Sequence, residues 1–256
     1  MYCEKILEIR NLNKTFESRR KKNTVFNDFS LEVGKGEFLS LLGPSGCGKS
    51  TLLEMIAGFD MDYTGDMIFR GEIIAGTSGE RAVVFQKDAL FPWLSVFDNI
   101  AYGLKIKKMN SEDIKVKVEY VLDKVGLLDF VDHFPEELSG GMKQRVALAR
   151  VLVMEPEVLL MDEPFGALDS FTRLRMQELM IEIREKFSIT VIFVTHDIDE
   201  ALILSDRIVM MDADNNDKYR ELRPVLEKRY KSLTEKMMDE KYLRWKKEII
   251  DWFHLK

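Results

Sequence analysis

The feature that most constrains this chain is a glycine-rich segment, residues 43–51, which follows a short apolar run and precedes a helical pattern. The segment has the form G-x-x-x-x-G-K-[ST], and its residues are Gly43, Pro44, Ser45, Gly46, Cys47, Gly48, Lys49, Ser50 and Thr51. Glycines allow successive backbone N–H groups to wrap around a phosphate chain, and the N-terminus of the following helix adds positive partial charge. The segment therefore predicts a strand–loop–helix unit of an α/β fold that binds nucleotide phosphates.

Two side chains of this segment carry specific chemistry. Lys49 offers a cationic group to the β and γ phosphates, and Ser50 offers a hydroxyl oxygen to Mg²⁺. The plain alternative is a glycine-rich turn between a strand and a helix that binds nothing. The complete spacing, together with the strand and the helix around it, favours phosphate binding over that alternative.

A second motif is an apolar run, residues 158–161, that ends in two carboxylates, Asp162 and Glu163. In proteins with such a phosphate loop, the aspartate after an apolar strand organises Mg²⁺. A carboxylate beside it can polarise a water for attack on the γ phosphate. Taken alone, the motif would fit a strand that ends at a solvated acidic turn, but its pairing with residues 43–51 favours a catalytic role.

A third motif, Ser139, Gly140 and Gly141, precedes a helical run and predicts a second anion-binding helix N-terminus. One chain with one nucleotide does not need two such sites. The second one is explained if it closes over the nucleotide of a partner chain. The plain alternative is a helix start capped by Ser139.

These motifs, in this order, resemble those of the ATPase subunit of ATP-binding cassette (ABC) transporters. Residues 138–142, LSGGM, are similar to that family's LSGGQ signature, and the resemblance covers residues 7–211. It implies an α/β P-loop NTPase core with an N-terminal antiparallel β subdomain and an inserted helical subdomain. It also implies ATP hydrolysis with Mg²⁺, and a head-to-tail dimer in which each ATP lies between Lys49 of one copy and Ser139 of the other.

The resemblance assigns roles to further residues. Gln86 matches the glutamine that contacts Mg²⁺ and the attacking water, and His196 matches the histidine that contacts the γ phosphate. With Glu163 as the general base, these three form the expected catalytic group, while Ser50, Gln86 and Asp162 form the expected metal group. Asp169 matches a residue of the loop that links the two active sites. Phe16 matches the aromatic residue that stacks on adenine. The alternative for Phe16 is a core residue at the end of a strand.

Two departures from the general pattern indicate a branch of the family. Met142 replaces the common glutamine of the signature, and the Pro92–Trp93 pair lies in a segment, residues 86–100, similar to that of nitrate, sulfonate and taurine importers. Trp93 would line the groove that receives the permease, or else be a buried core residue. The implied partners are a second copy, integral membrane permease subunits and, indirectly, an extracytoplasmic solute-binding protein. Alternatives are a soluble ABC ATPase of DNA repair or translation, and the ATPase half of an exporter.

The composition of the chain limits which other classes of protein it can belong to. The N-terminus lacks the apolar region of a signal peptide, no window approaches a membrane-spanning length, and two cysteines cannot form a disulfide framework. A net charge of −6 argues against a protein that coats nucleic acid. The composition therefore predicts a protein of the reducing cytoplasm that binds no nucleic acid. The resemblance implies that it is peripheral, at the cytoplasmic face of the cell membrane.

The pattern of apolar residues predicts the domain organisation. We expect an ABC ATPase domain over residues 1–212, with a helical lobe at about 88–153, and a helical extension over 213–256. The extension has 12 Lys or Arg against nine Asp or Glu. Its apolar residues follow helical spacing, and they are Leu222, Leu226, Tyr230, Leu233, Met237, Tyr242, Trp245, Ile249 and Trp252. The extension either packs on its own domain or forms a separate regulatory or membrane-facing element.

Overall fold

A computed structural model of the chain describes residues 4–18, 21–85, 89–212, 219–224 and 232–254. The strands are β1 (Lys5–Ser18), β2 (Lys21–Gly34), β3 (Phe38–Leu42), β4 (Thr64–Phe69), β5 (Glu72–Ile73), β6 (Arg81–Val84), β7 (Val158–Asp162), β8 (Thr190–Thr195), β9 (Arg207–Met211) and β10 (Tyr219–Leu222). The helices are α1 (Lys49–Ala57), α2 (Val96–Ile106), α3 (Ser111–Val125), α4 (Gly140–Leu152), α5 (Ser170–Phe187), α6 (Ile198–Leu204), α7 (Leu233–Met237) and α8 (Glu240–His254). Short 3₁₀ turns lie at Leu128–Phe130 and Pro135–Glu137. These elements form the predicted α/β fold.

The chain divides into two compact units, residues 1–78 with 188–256, and residues 79–187. In the first unit, an antiparallel sheet has the order β2-β1-β4-β5. Residues 66–74 form a strand-like run in the sequence, but the single strand that this run predicts is wrong, because Arg70 and Gly71 adopt left-handed φ angles of 52° and 82°. These two residues reverse the chain, so that Ile73 pairs with Ile68 in a hairpin.

The second sheet of this unit has β3 at its centre, with β8 and β9 parallel on either side. Every residue of these three strands is buried, which explains why their sequences are mostly apolar. Strand β10 pairs antiparallel with β9, and Leu222 lies opposite Ile208. The helical spacing assigned to Leu222 was therefore wrong, while Leu226 and Tyr230 lie outside the described residues.

In the second unit, β6 and β7 are parallel neighbours. Helices α2, α3 and α4 lie between these two strands in the chain, and α5 follows β7. The first three of these helices have side-chain caps at Ser95, Asn110 and Ser139, each of which accepts a hydrogen bond from a backbone N–H of the first turn. Such caps satisfy donors that the helix itself leaves unpaired. Asn110 and Ser111 precede a run with helical spacing and so predict a cap from the sequence, and this cap is confirmed. The boundaries of the helical lobe stay a prediction.

The described residues of the tail form α7 and α8, and α8 contacts α6 of the same unit through the hydroxyl of Tyr242, which donates to Asp199. Tyr242 and Ile249 of α8 are buried. Packing of the extension on its own domain is thereby confirmed for the residues that the structure describes. Within those residues, no helix combines the length and the apolar character that crossing a bilayer requires.

Candidate active site

The glycine-rich segment connects β3 to α1 in the first unit. The sequence predicts a strand that stops at residue 42 and a helix over residues 49–57. In the structure β3 ends at Leu42, and α1 begins at Lys49 and ends at Ala57. Gly58 caps the C-terminus of α1 at a left-handed φ of 83°. Among the residues between strand and helix, Pro44, Ser45 and Gly46 are exposed, as is Ser50 at the start of the helix, and Thr51 is half-buried.

Two glycines of this segment are required by close packing. A Cβ atom on Gly43 would lie 2.3 Å from the backbone oxygen of Met211. One on Gly48, whose φ is 100°, would lie 2.4 Å from Cγ1 of Val25. Both distances are far below any real carbon contact, so the loop holds its shape only with glycine at these positions. The loop backbone is thus drawn tightly against its neighbours, with Gly46 at its open side.

Lys49 is buried at 4% exposure, and its Nζ donates to the backbone oxygens of Gly43 and Pro44, both at 2.8 Å. The ammonium group is therefore held inside the curve of the loop, where a phosphate oxygen can replace a carbonyl as its partner. Burial raises the pKa of the Cys47 thiol, which lies 3.7 Å from the same Nζ. A neutral thiol leaves the positive charge of Lys49 available to an anionic ligand.

Strand register brings His196 to the same edge of the sheet as this loop. Leu42 of β3 and Thr195 of β8 are paired, so His196 and Gly43 each follow directly after paired strand ends. The His196 side chain is exposed. On either side of it, Thr195 Oγ1 donates to Glu200 at 2.6 Å and accepts from the N–H of Asp197 at 3.0 Å. The imidazole thus projects from a fixed backbone beside the phosphate loop.

Phe16 lies on the hairpin of β1 and β2, the second strand of which contributes Val25 and Phe26 to the surroundings of Gly48. Phe16 is 45% exposed, so the alternative of a core residue is wrong. The Lys14 ammonium, 4.8 Å from the centre of the ring, is attracted to its π-face. An exposed ring on the hairpin that touches the phosphate loop suits stacking on a base, which stays a prediction.

In the second unit, Val84 of β6 pairs with Met161 of β7, so the residues that follow both strands lie at one edge. Asp162 ends β7 and is half-buried, as is Glu163. Glu163 has a left-handed φ of 43°, a conformation that residues other than glycine rarely adopt and that concentrates at functional sites. Gln86, predicted to follow β6 as a catalytic and metal-binding residue, lies outside the described residues.

The third motif begins α4 in the same unit. Ser139 Oγ accepts from the N–H of Met142 at 3.4 Å, so Ser139 is the predicted helix cap. Ser139 and Gly140 are exposed, and a Cβ atom on Gly140 would have no neighbour within 4 Å. At Gly141, by contrast, a Cβ atom would lie 2.4 Å from Cγ2 of Thr172. The helix N-terminus therefore presents an open face.

Asp169 lies shortly before α5, and its Oδ1 accepts from the N–H groups of Phe171 and Thr172, both at 3.1 Å. The hydrogen bond from the Thr172 side chain, with those from the backbone, holds the pKa of this carboxyl below its usual range. Asp169 is thus an ionised, exposed carboxylate. Its predicted role in linking two sites stays a prediction.

Sequence reasoning missed Asn99, a buried amide that organises the loop before α2. Its Oδ1 accepts from the N–H of Phe91, and its Nδ2 donates to the backbone oxygens of Phe91, Leu94 and Ser95. The signal was available, because Asn99 lies among apolar residues of one helix face. The loop holds Trp93 at 70% exposure, so the alternative of a buried core tryptophan is wrong.

Comparisons with known proteins give a consistent result. Residues 26–166 match the family model described as ABC transporter. The aliphatic sulfonates import ATP-binding protein SsuB of Bacillus cereus is 47% identical over 207 residues, 81% of each chain. The taurine import ATP-binding protein TauB of Roseobacter denitrificans is 47% identical over 206 residues, 80% of this chain and 77% of the relative.

Solved structures agree with the sequence comparisons. One is cbiO1 from Clostridium perfringens, part of an ABC transporter complex, with a TM-score of 0.74, 30% identity, and coverage of 81% of this chain and 85% of that one. Another is MJ0796, a bacterial ABC transporter cassette in a dimeric structure, with a TM-score of 0.73, 30% identity, and coverage of 85% and 98%.

Proposed function

The chain belongs to the ABC transporter family, and from this membership we propose that it is the ATP-hydrolysing subunit of a sulfonate or taurine importer with a separate permease. The observation that carries the proposal is the buried Lys49 ammonium, which donates to two backbone oxygens inside a loop with two tightly packed glycines. The relatives are import proteins, which favours this function over an exporter subunit or an ATPase of DNA repair or translation.

ATP binding rests on the first unit. Lys49 would exchange its contacts with Gly43 and Pro44 for oxygens of the β and γ phosphates, while the loop N–H groups and the N-terminus of α1 stabilise the negative charge. His196 would contact the γ phosphate from the neighbouring strand end. Phe16 would stack on the adenine through its exposed face.

Hydrolysis needs a proton acceptor and a cation. We assign Glu163 as the general base that takes the proton of the attacking water. Ser50 and Asp162 offer hydroxyl and carboxylate oxygens, and Gln86 offers an amide oxygen, all of which suit Mg²⁺ as a ligand set. When bound, Mg²⁺ neutralises developing charge on the phosphate oxygens.

The importer also requires partners. A second copy would contribute Ser139, Gly140, Gly141 and Asp169 to the ATP site of the first, a proposal supported by the open face at Gly140 and by the dimeric relative MJ0796. The exposed Trp93 would contact membrane permease subunits at the cytoplasmic face of the membrane. An extracytoplasmic solute-binding protein would act through that permease, and no nucleic acid takes part.

The replacement Glu163→Gln tests the chemistry. It keeps the shape and hydrogen-bonding capacity of the side chain but removes the base, so we expect kcat to fall about 10²–10⁴-fold while ATP still binds. ATP should then trap the dimer, which size-exclusion chromatography detects. The matched control is Glu178→Gln, on the exposed surface of α5. Turnover of Glu163→Gln within about twofold of wild type would remove Glu163 from this role.

Growth assays test which solute the importer carries. Cells without this chain should fail on an aliphatic sulfonate or taurine as the sole sulfur source, and the wild-type chain should restore growth while Glu163→Gln should not. Growth on nitrate as the sole nitrogen source should be unaffected. Loss on nitrate alone would contradict the sulfonate assignment and leave the ATPase assignment intact.

A further inference from the structure

The C-terminal extension binds both ends of α6, the helix that follows His196. In the first turn of α6, Asp199 accepts from the Tyr242 hydroxyl at 2.5 Å. The Lys246 ammonium donates to both oxygens of the same carboxylate, at 2.7 and 2.9 Å. Two residues of α8, one turn apart, therefore converge on a single carboxylate three positions after the histidine.

The other end of α6 has its own contact with the extension. Lys236 of α7 donates to the backbone oxygen of Ile203 at 2.6 Å, a carbonyl in the last turn that the helix itself leaves without a partner. The charges also match the helix dipole, because Asp199 is negative at the N-terminal end and Lys236 is positive at the C-terminal end. The extension thus contacts α6 near both of its ends, and we call these contacts of Tyr242, Lys246 and Lys236 the clamp.

This clamp is built into the core of the first unit. Tyr242 is 1% exposed and Ile249 is fully buried. Burial raises the pKa of the Tyr242 phenol far above its usual range, so the hydroxyl stays protonated and remains a donor to Asp199. An ion pair between Arg220 and Glu248 joins α8 to strand β10. The contacts with α6 are therefore made by a firmly anchored helix.

The position of His196 depends on α6 because the two share one short stretch of backbone. Asp197 caps the helix by accepting from the N–H groups of Asp199 and Glu200. The Glu200 carboxylate in turn accepts from Thr195, on the other side of the histidine. A helix of two turns is not stable by itself, so its contacts with other elements determine where it lies.

We infer that Tyr242 and Lys246 are positioning residues for His196: through Asp199 they hold α6, and with it the backbone that aims the imidazole. This inference rests on the proposed function in one respect, the contact of His196 with the γ phosphate. The clamp itself is a property of the described contacts. It gives the extension a part in the rate of ATP hydrolysis through the backbone that carries His196.

Kinetics of three variants test this inference. Lys246→Met removes the cation that faces Asp199, and we expect kcat to fall about threefold to tenfold with the KM for ATP within about twofold of wild type, since a small misplacement of a catalytic group slows chemistry more than binding. Lys246→Arg keeps the charge and should retain activity. Lys247→Met, at the exposed neighbouring lysine, is the matched control and should behave as wild type.

Histidine spectroscopy separates positioning from plain stability. The chain has three histidines, His133, His196 and His254, so a histidine-labelled sample gives few imidazole signals, which His196→Gln and His133→Gln assign. In Lys246→Met the His196 signal should shift and that of His133 should not. If Lys246→Met loses its helical circular dichroism, Tyr242→Phe, which removes one oxygen, is measured in the same two ways.

The inference requires both a lower kcat and a shifted His196 signal in Lys246→Met. An unchanged kcat overturns the inference, and so does a lower kcat with an unmoved His196 signal, because the extension would then only stabilise the fold. If the wild-type chain does not hydrolyse ATP, the proposed function fails, and the His196 signal alone decides the positioning.

Discussion

Two glycine-rich helix starts in this molecule differ at the glycine where the helix begins, Gly48 before α1 and Gly140 at the first position of α4. In the phosphate loop, residues 43–51, Gly43 and Gly48 are buried, and neither can accept a Cβ atom without a clash. In the signature segment, residues 138–142, Gly140 is exposed and a Cβ atom would meet nothing within 4 Å. Both segments lead into helices whose first-turn N–H groups have no acceptor within the helix itself, a geometry that suits an anion.

The difference teaches which glycines the fold needs. Packing inside the chain accounts for Gly43 and Gly48, and would require them even without a ligand. Within the described residues no packing accounts for Gly140 or for Gly46 of the phosphate loop, whereas Gly141 is packed against Thr172.

The largest expected effect is that of Lys49→Ala in the phosphate loop. It removes the charge that faces the β and γ phosphates but keeps the backbone donors, so ATP affinity should fall about 100-fold and hydrolysis should cease. A nucleotide titration measures the affinity. Lys107→Ala, at an exposed lysine after α2, is the control, and equal affinity in the two variants would contradict phosphate binding at residues 43–51.

Ser139→Arg in the signature segment should act on hydrolysis alone. Its bulky cation would obstruct the γ phosphate of the partner, so hydrolysis should fall at least about 50-fold while ATP affinity of the monomer stays within about twofold. If Ser139→Arg weakens ATP binding by the monomer as much as Lys49→Ala does, the segment serves its own chain and the head-to-tail arrangement is wrong.

Mixing the two variants sharpens the comparison further. A dimer of Ser139→Arg with Lys49→Ala places both changes in one composite site and leaves the other site intact. Where the sites need not cooperate, the mixture should recover part of the wild-type hydrolysis. We would compare its rate with that of each variant alone.

The smallest expected effect concerns the glycines themselves. Gly48→Ala combines a left-handed φ with a clash against Val25, so it should cost about 2–4 kcal/mol of stability and lower the melting temperature by roughly 5–10 °C. Gly140→Ala meets open space at a helix start and should change stability by less than about 1 kcal/mol. Thermal unfolding distinguishes them, and equal losses would show that the two glycines are equally constrained by the fold.

Much of the phosphate loop could be predicted, because its determinants are local. The limits of α1, Lys49 to Ala57 with Gly58 as its cap, follow from a motif and from a glycine that tolerates positive φ. The cap at Asn110 is of the same kind. In each case the residues that decide the structure lie within one turn of one another.

Elements held by distant partners could not be predicted in this way. Leu222 fits a helical stripe in sequence, yet it lies in β10, because the edge of β9 offers hydrogen bonds that local spacing cannot reveal. In the sequence, Asn99 is a polar residue on an apolar helix face, and only the structure shows that it binds the backbone of the loop before α2. Asp199 likewise gains its partners from residues 43 and 47 positions further along the chain.

The sequence by itself determined the family, the phosphate loop, the carboxylates after β7 and the cap at Ser139, because each depends on neighbours in the chain and on the chemistry of single residue types. Only the tertiary structure decided that Trp93 is exposed, that the extension packs on α6, and that Gly48 and Gly140 differ in their surroundings. The physical reason is that exposure and packing depend on atoms that chain folding brings together from far apart.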